Sequence, residues 1–149
     1  MKSNDVMKFF REIKDDPNST QSKAEILIKN MCDYLSQDNE VKQHVKIEKE
    51  NGSFHFLIKP FGLAIFCNGS YKLYEIGPGV ITNCYQLKFI HKQKDEEIPI
   101  LTVYITGDGY IVSDINESGS ICDVQNEQQG KRVFSMILNS LCDSKTICL

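Results

Sequence analysis

Three histidines, six cysteines and two acidic stretches are the residues of this chain with chemistry to offer. Metal ligation draws on two or more His or Cys at helical or hairpin spacing. His44 stands in a polar linker, whereas His55 and His91 fall on different predicted strands that could bring them face to face. Cys32, Cys67, Cys84, Cys122, Cys142 and Cys148 include no C-x-x-C pair. No metal and no cofactor is expected. A cysteine nucleophile needs a base beside it to form thiolate. Cys84 and His91 share one predicted strand, but the strand rise between them amounts to ~23 Å and they point to opposite faces. The Walker loop, the dinucleotide fingerprint, the zincin helix and the nucleophile elbow are all missing. Gly77-Pro78-Gly79 is too short, and has no following helix, to cradle a phosphate. The chain reads as non-enzymatic, with its thiols reduced and serving as small hydrophobes.

The carboxylates say more. Asp95, Glu96 and Glu97, beside Lys92 and Lys94, form the charged tip of a predicted hairpin. Asp108, Asp114, Glu117 and Asp123 surround a second loop, with Tyr110 among them. Such acidic turns keep sheet edges soluble. They also steer basic partners, because complementary charge accelerates encounter and fixes register. These eight residues are the candidate partner-binding set.

Composition narrows the partner. A net charge of −3 with only Arg11 and Arg132 as guanidinium forks argues against nucleic acid. The N-terminal residues turn charged after Phe10 and lack the apolar stretch of a signal peptide. No run reaches the ~18 apolar residues of a membrane span, so a cytoplasmic protein without membrane contact is expected. N-x-[ST] triplets at Asn18, Asn51, Asn68 and Asn116 read as chance products of an Asn- and Ser-rich chain.

The elements that must position these residues follow from hydrophobic period. At 149 residues the chain can bury roughly 68–70% of its unfolded surface as one domain. Residues 3–14 have the spacing of a short amphipathic helix, broken at Asp15-Asp16-Pro17. Ser22 and Glu25 fit a capping box that opens a second helix over 22–36, with Ala24, Leu27, Ile28, Met31 and Leu35 inward. From residue 45 the period becomes strand-like: 45–49, 53–59, 63–67 and 71–76, with Asn51-Gly52 and Asn68-Gly69 as hairpin turns. Strands 81–92, 98–106 and 110–113 follow, the last two joined by Asp108-Gly109. Strand 98–106 carries bulk on both faces, with Ile98, Ile100 and Tyr104 on one and Leu101, Val103 and Ile105 on the other. That pattern predicts helices on both faces of the sheet, or a partner on one. Residues 127–142 close the chain as a helix with Val133, Phe134, Ile137, Leu138 and Leu141 inward. The fold class is α+β: a curved antiparallel meander of six to seven strands, two N-terminal helices and one C-terminal helix.

In size, acidity and element order the chain resembles the small bacterial immunity proteins of polymorphic and contact-dependent toxin systems. That resemblance covers the whole chain and carries no motif. It implies a cytoplasmic protein, monomeric or weakly homodimeric, that binds a basic toxin domain and occludes its active site. Two other readings stand beside it. A type III-like secretion chaperone would be a stable homodimer with an apolar groove. A small-ligand or enzymatic domain would hold a pocket between the sheet and the C-terminal helix, near His55 or His91. A pleckstrin-homology-like fold also matches the element order, but the chain has no Trp and no basic cluster on its first hairpin.

Overall fold

The computed structural model describes residues 17–50, 53–78, 80–115 and 119–143. Helix α1 (Pro17–Gln37) leads through a 3₁₀ turn (Val41–Gln43) into β1 (Val45–Glu50) and β2 (Ser53–Ile58). A second 3₁₀ turn (Lys59–Phe61) precedes β3 (Leu63–Gly77), β4 (Val80–Gln93), β5 (Glu96–Thr106), β6 (Tyr110–Val112) and β7 (Cys122–Asp123). Helix α2 (Gln129–Asp143) ends the described chain. The strands form one seven-stranded antiparallel meander in the order β1-β2-β3-β4-β5-β6-β7. The sheet is not strongly curled, in contrast to the curvature expected, and β1 and β7 are its edges. The helix expected over residues 3–14 lies outside the described residues.

Helix α1 begins at Pro17 rather than at a Ser22 cap. Proline is at home in the first turn of a helix, where its missing N–H would have no partner anyway. Ser22 is therefore interior to the helix, while the break expected at Asp15-Asp16 lies outside the described residues. Ala24, Leu27, Met31 and Leu35 are buried as their spacing predicts.

Asn68-Gly69 is not a turn. Both residues lie inside β3, opposite Lys88 and Leu87, so one long strand replaces two short ones. The Tyr85 ring folds over Gly69, so that a Cβ there would lie 2.6 Å from it and the ring would have to swing aside. The β2–β3 connection, between the strands expected over 53–59 and 63–67, is the turn Lys59–Phe61, closed by Gly62 at φ +60°. Asn51-Gly52 lies outside the described residues, though Glu50 and Ser53 pair on either side of it. Asp108-Gly109 does turn the chain, with Gly109 at φ +92°. Strand β7 was not foreseen; two residues are too few to show a period.

Ladder register assigns the faces, because directly opposed residues share one. Ile47, Phe56 and Ile65 stand in line, as do Leu87, Val103 and, one row on, Ile105 and Ile111. These residues join Leu27, Met31, Val133, Phe134, Ile137 and Leu141 in one core, so both described helices cover the same face. The prediction of helices on both faces is not met within the described residues. A bulge in β5 opposite Phe89 and Ile90, where the register passes from Leu101 to Pro99 and skips Ile100, is the reason the pattern of 98–106 misleads. It returns Ile98 to the helix-bearing face, opposite His91, while Tyr104 stays on the other.

The helices meet closely where Gly130 abuts the backbone of α1. Asn30 ties the crossing: its Oδ1 accepts the Gly130 N–H (2.8 Å) and its Nδ2 donates to the Glu127 carbonyl (3.0 Å). An α1 side chain thus satisfies a donor at the start of α2 that has no partner within its own helix.

Candidate partner-binding site

At one end of the sheet, the beginnings of β1, β3 and β5 meet the ends of β2 and β4. The connections clustered there are the two 3₁₀ turns and the tip Lys94-Asp95, where Lys94 takes φ 57°. Asp38 builds the first 3₁₀ turn. Its Oδ1 accepts the N–H groups of Glu40 and Val41, each at 3.0 Å. The Val41 N–H, and then that of Glu40, hold the Asp38 carboxyl below the usual carboxylate range.

Between these turns and α2 lies an open groove of about 530 Å³. Val41, Val45, Ile58, Pro60, Phe61, Phe134 and Leu138 supply most of its lining, with Glu40, Gln43 and His44 at its margin. Phe134 is buried and packs edge-to-face on Phe56 (5.6 Å), which makes that wall rigid. Phe61 is different: it is 49% exposed at the tip of its turn. The Pro60-Phe61-Gly62 triplet could have flagged it, since Pro and Gly mark a turn and put the aromatic at its apex.

The predicted acidic residues fall into two groups. Asp95, Glu96 and Glu97 are exposed on the β4–β5 hairpin, at the same sheet end as the groove. Asp108, Tyr110 and Asp123 gather at the other end of β5, about 33 Å away by strand rise. There Tyr110 pairs with Asp123 across β6–β7, and the Thr106 hydroxyl donates to Asp108. Asp114 follows β6 and is half-buried; Glu117 lies outside the described residues.

The histidines do not converge. His55 pairs with Phe66, and Phe66 with Ile90, on the face that neither described helix covers, whereas His91 pairs with Ile65 on the helix-bearing one. They therefore cannot face each other as their strands had suggested. His55 has a partner the sequence did not single out: Glu48, directly opposite, whose Oε2 lies 2.7 Å from its Nε2. Phe66 lies beside the same imidazole, and Lys92 sits over the Phe66 ring. His91 Nδ1 donates to the Ala64 carbonyl (3.2 Å).

Burial pushes the Cys67 thiol up to about 12, with Cys32 adding to the effect. Burial likewise raises Cys84 to about 11 against the pull of Lys72. Thiols held protonated in this way are poor nucleophiles. Among the described residues, no three His, Cys, Asp or Glu side chains are grouped so as to hold a metal ion. No helix among them is long and apolar enough to cross a membrane. Neither a family model, a curated protein nor a solved structure matches the chain.

Proposed function

We propose that this chain is a non-enzymatic protein-binding domain that works through the sheet end bearing the groove, Phe61 and the acidic hairpin. One observation carries the reading: a half-exposed aromatic, an apolar groove and three carboxylates share that end. Phe61 and the β4–β5 hairpin are two strand spacings apart, roughly 10 Å. A standard interface of ~800 Å² per partner covers both. The division of labour is the usual one. An aromatic anchor beside a pocket supplies affinity, while the carboxylates steer a basic partner and set its orientation.

The partner of that chemistry is a basic protein domain. In its most specific form the proposal is a bacterial immunity protein that covers the active site of a toxin in the cytoplasm. Asp108, Tyr110, Asp114, Glu117 and Asp123 would serve the same partner only if it spans the length of β5, so the Asp95 end is the primary contact. A second reading has its own support: 530 Å³ lies within the ~300–1,000 Å³ of small-molecule pockets, and the groove lies between sheet and C-terminal helix. It takes an apolar ligand in place of a partner's side chain.

Affinity capture from the native host distinguishes them. The unaltered chain should retain a basic protein that Phe61→Ala loses and that a triple Lys reversal of Asp95, Glu96 and Glu97 captures more slowly. Equal recovery of the same proteins by all three sinks the proposal. A small molecule carried through purification, seen by native mass spectrometry, would favour the ligand reading.

A further inference from the structure

The exposed edge of β1 has the chemistry of a self-complementary strand. The Lys59 N–H donates to the His44 carbonyl (2.8 Å) just before the β1–β2 ladder. Exchanged hydrogen bonds recur at every second residue of an antiparallel pair. Lys46 and Glu48 therefore bond inward to Leu57 and His55, their partners in register. Val45, Ile47 and Lys49 turn their N–H and C=O groups out to the edge. Strand β1 stands first in the sheet order, so no described strand takes up these groups.

We propose that two copies of this chain pair antiparallel through β1, about a two-fold axis at Ile47. Ile47 then faces the partner's Ile47, and Val45 faces the partner's Lys49. Both are pairs of residues with outward groups, and together they give about six hydrogen bonds across the seam. Lys46 falls opposite the partner's Glu48, and Glu48 opposite the partner's Lys46. These are the positions without hydrogen bonds, where Cα atoms come within about 4.5 Å and side chains interact most strongly. Glu48 is prepared for the role. Its Oε2 is held by His55 at 2.7 Å, while Oε1 lies 3.6 Å from its own Lys46, beyond a good hydrogen bond.

Charge selects this register over its neighbours. Moving the axis by one residue sets Glu48 against Glu48, or Lys46 against Lys46, and like charges directly opposed repel. An alternating Lys-Glu edge thus discourages indiscriminate strand addition and admits a copy of itself. The pairing joins two sheets into one. It rests on the outward main chain of β1, and of the groove's lining only Val45 lies in the seam, so it is argued from different observations than the partner-binding proposal.

Sedimentation velocity across a concentration series, with far-UV circular dichroism to confirm folding, tests it. The unaltered chain should shift from monomer to dimer as concentration rises. Lys46→Glu alone and Glu48→Lys alone should each weaken association about tenfold or more. An equimolar mixture of the two single variants should recover it, because every charge again meets its opposite. Amide exchange reads the register directly: Val45, Ile47 and Lys49 should gain protection with concentration, while Lys46 and Glu48 are protected throughout. A chain monomeric at every concentration overturns the proposal, as do single variants that dimerise normally or a mixture that does not.

Discussion

Gly130→Ala inverts the usual effect of its substitution. In an exposed helix, replacing Gly by Ala gains about 0.8–1.0 kcal/mol. Here the new Cβ would sit 2.5 Å from Met31 Cα and 2.7 Å from Asn30 C, against main chain that has no rotamer to move. Carbon pairs rest at about 3.5–4.0 Å, so α2 must retreat from α1 by roughly 1 Å. Overpacking of that kind costs about 1–3 kcal/mol. The same retreat stretches the 2.8 Å bond from Gly130 N–H to Asn30 Oδ1 past its working range, losing about another 1 kcal/mol. Set against the propensity gain, the net loss is about 1–3 kcal/mol, or a Tm lower by roughly 2–12 °C for a chain of this size. Urea unfolding followed by circular dichroism should show a lower midpoint with an unchanged slope. The losses of Gly130→Ala and Asn30→Ala should be less than additive, because both break one contact. A midpoint that stays put or rises would refute the close crossing of the two helices.

The turn that displays Phe61 should be sensitive for a different reason. Gly62 has no heavy atom within 4 Å of an added Cβ but sits at φ +60°, so Gly62→Ala should cost about 1–2 kcal/mol through the backbone alone; an unshifted urea midpoint would contradict this. Phe61→Ala, in contrast, should leave stability within about 0.5 kcal/mol, so that its loss of partner capture reports binding and not unfolding. Stability should also fall in alkali. With Cys67 raised to about 12 and Cys84 to about 11 from 9.0, both thiols are protonated in both states below pH 9, where their contribution is complete. Above it the unfolded chain ionises first, and stability drains as pH rises toward the folded values. The urea midpoint should decline from about pH 9 upward, less steeply in Cys67→Ala; identical slopes for the two chains would remove the thiols from the account.

Period and turn chemistry made the two described helices and most of the meander legible, because those signals are local. Leu27, Met31 and Leu35, or Val133, Phe134 and Ile137, announce a buried helical face by spacing alone. The misreadings at Gly69, Ile98 and Glu48 each involve something across the fold. Asn68-Gly69 has the composition of a turn, yet it runs on as strand, paired with Lys88 and Leu87 and with the Tyr85 ring from β4 folded over Gly69. Ile98 has the parity of Tyr104, yet the bulge at Ile100, opposite Phe89 and Ile90, turns it to the other face. Glu48 and His55 become neighbours only once the β1–β2 register is set. Of the candidate site, the charge of Asp95, Glu96 and Glu97 was legible. The groove beside them was not, since it draws Val41, Ile58, Phe61 and Leu138 from four separate segments.

That distribution bears on how the surface works. The interior of the helix-bearing face is filled where α1 and α2 cross tightly at Gly130, and its residues are committed to stability. The 3₁₀ turns lie at the sheet's end, where the core runs out: Val45, Ile58 and Phe134 are buried, whereas Phe61, against the same groove, is half in water. A large aromatic left in water at the rim of an apolar groove gains little in the free protein and much once a partner covers it. The Asp38 cap and the left-handed Gly62 then matter for aim as well as for stability, because each fixes a turn that lines the groove. Loosening either turn should therefore weaken binding by raising the ordering cost paid on association, even with every contact residue intact. Substitution of Asp38 by Asn keeps an acceptor oxygen for the Glu40 and Val41 N–H groups, while Ala removes it. Capture that is retained with Asn and lost with Ala ties recognition to the shape of this end; capture unaffected by Ala assigns it to charge and exposed side chains alone.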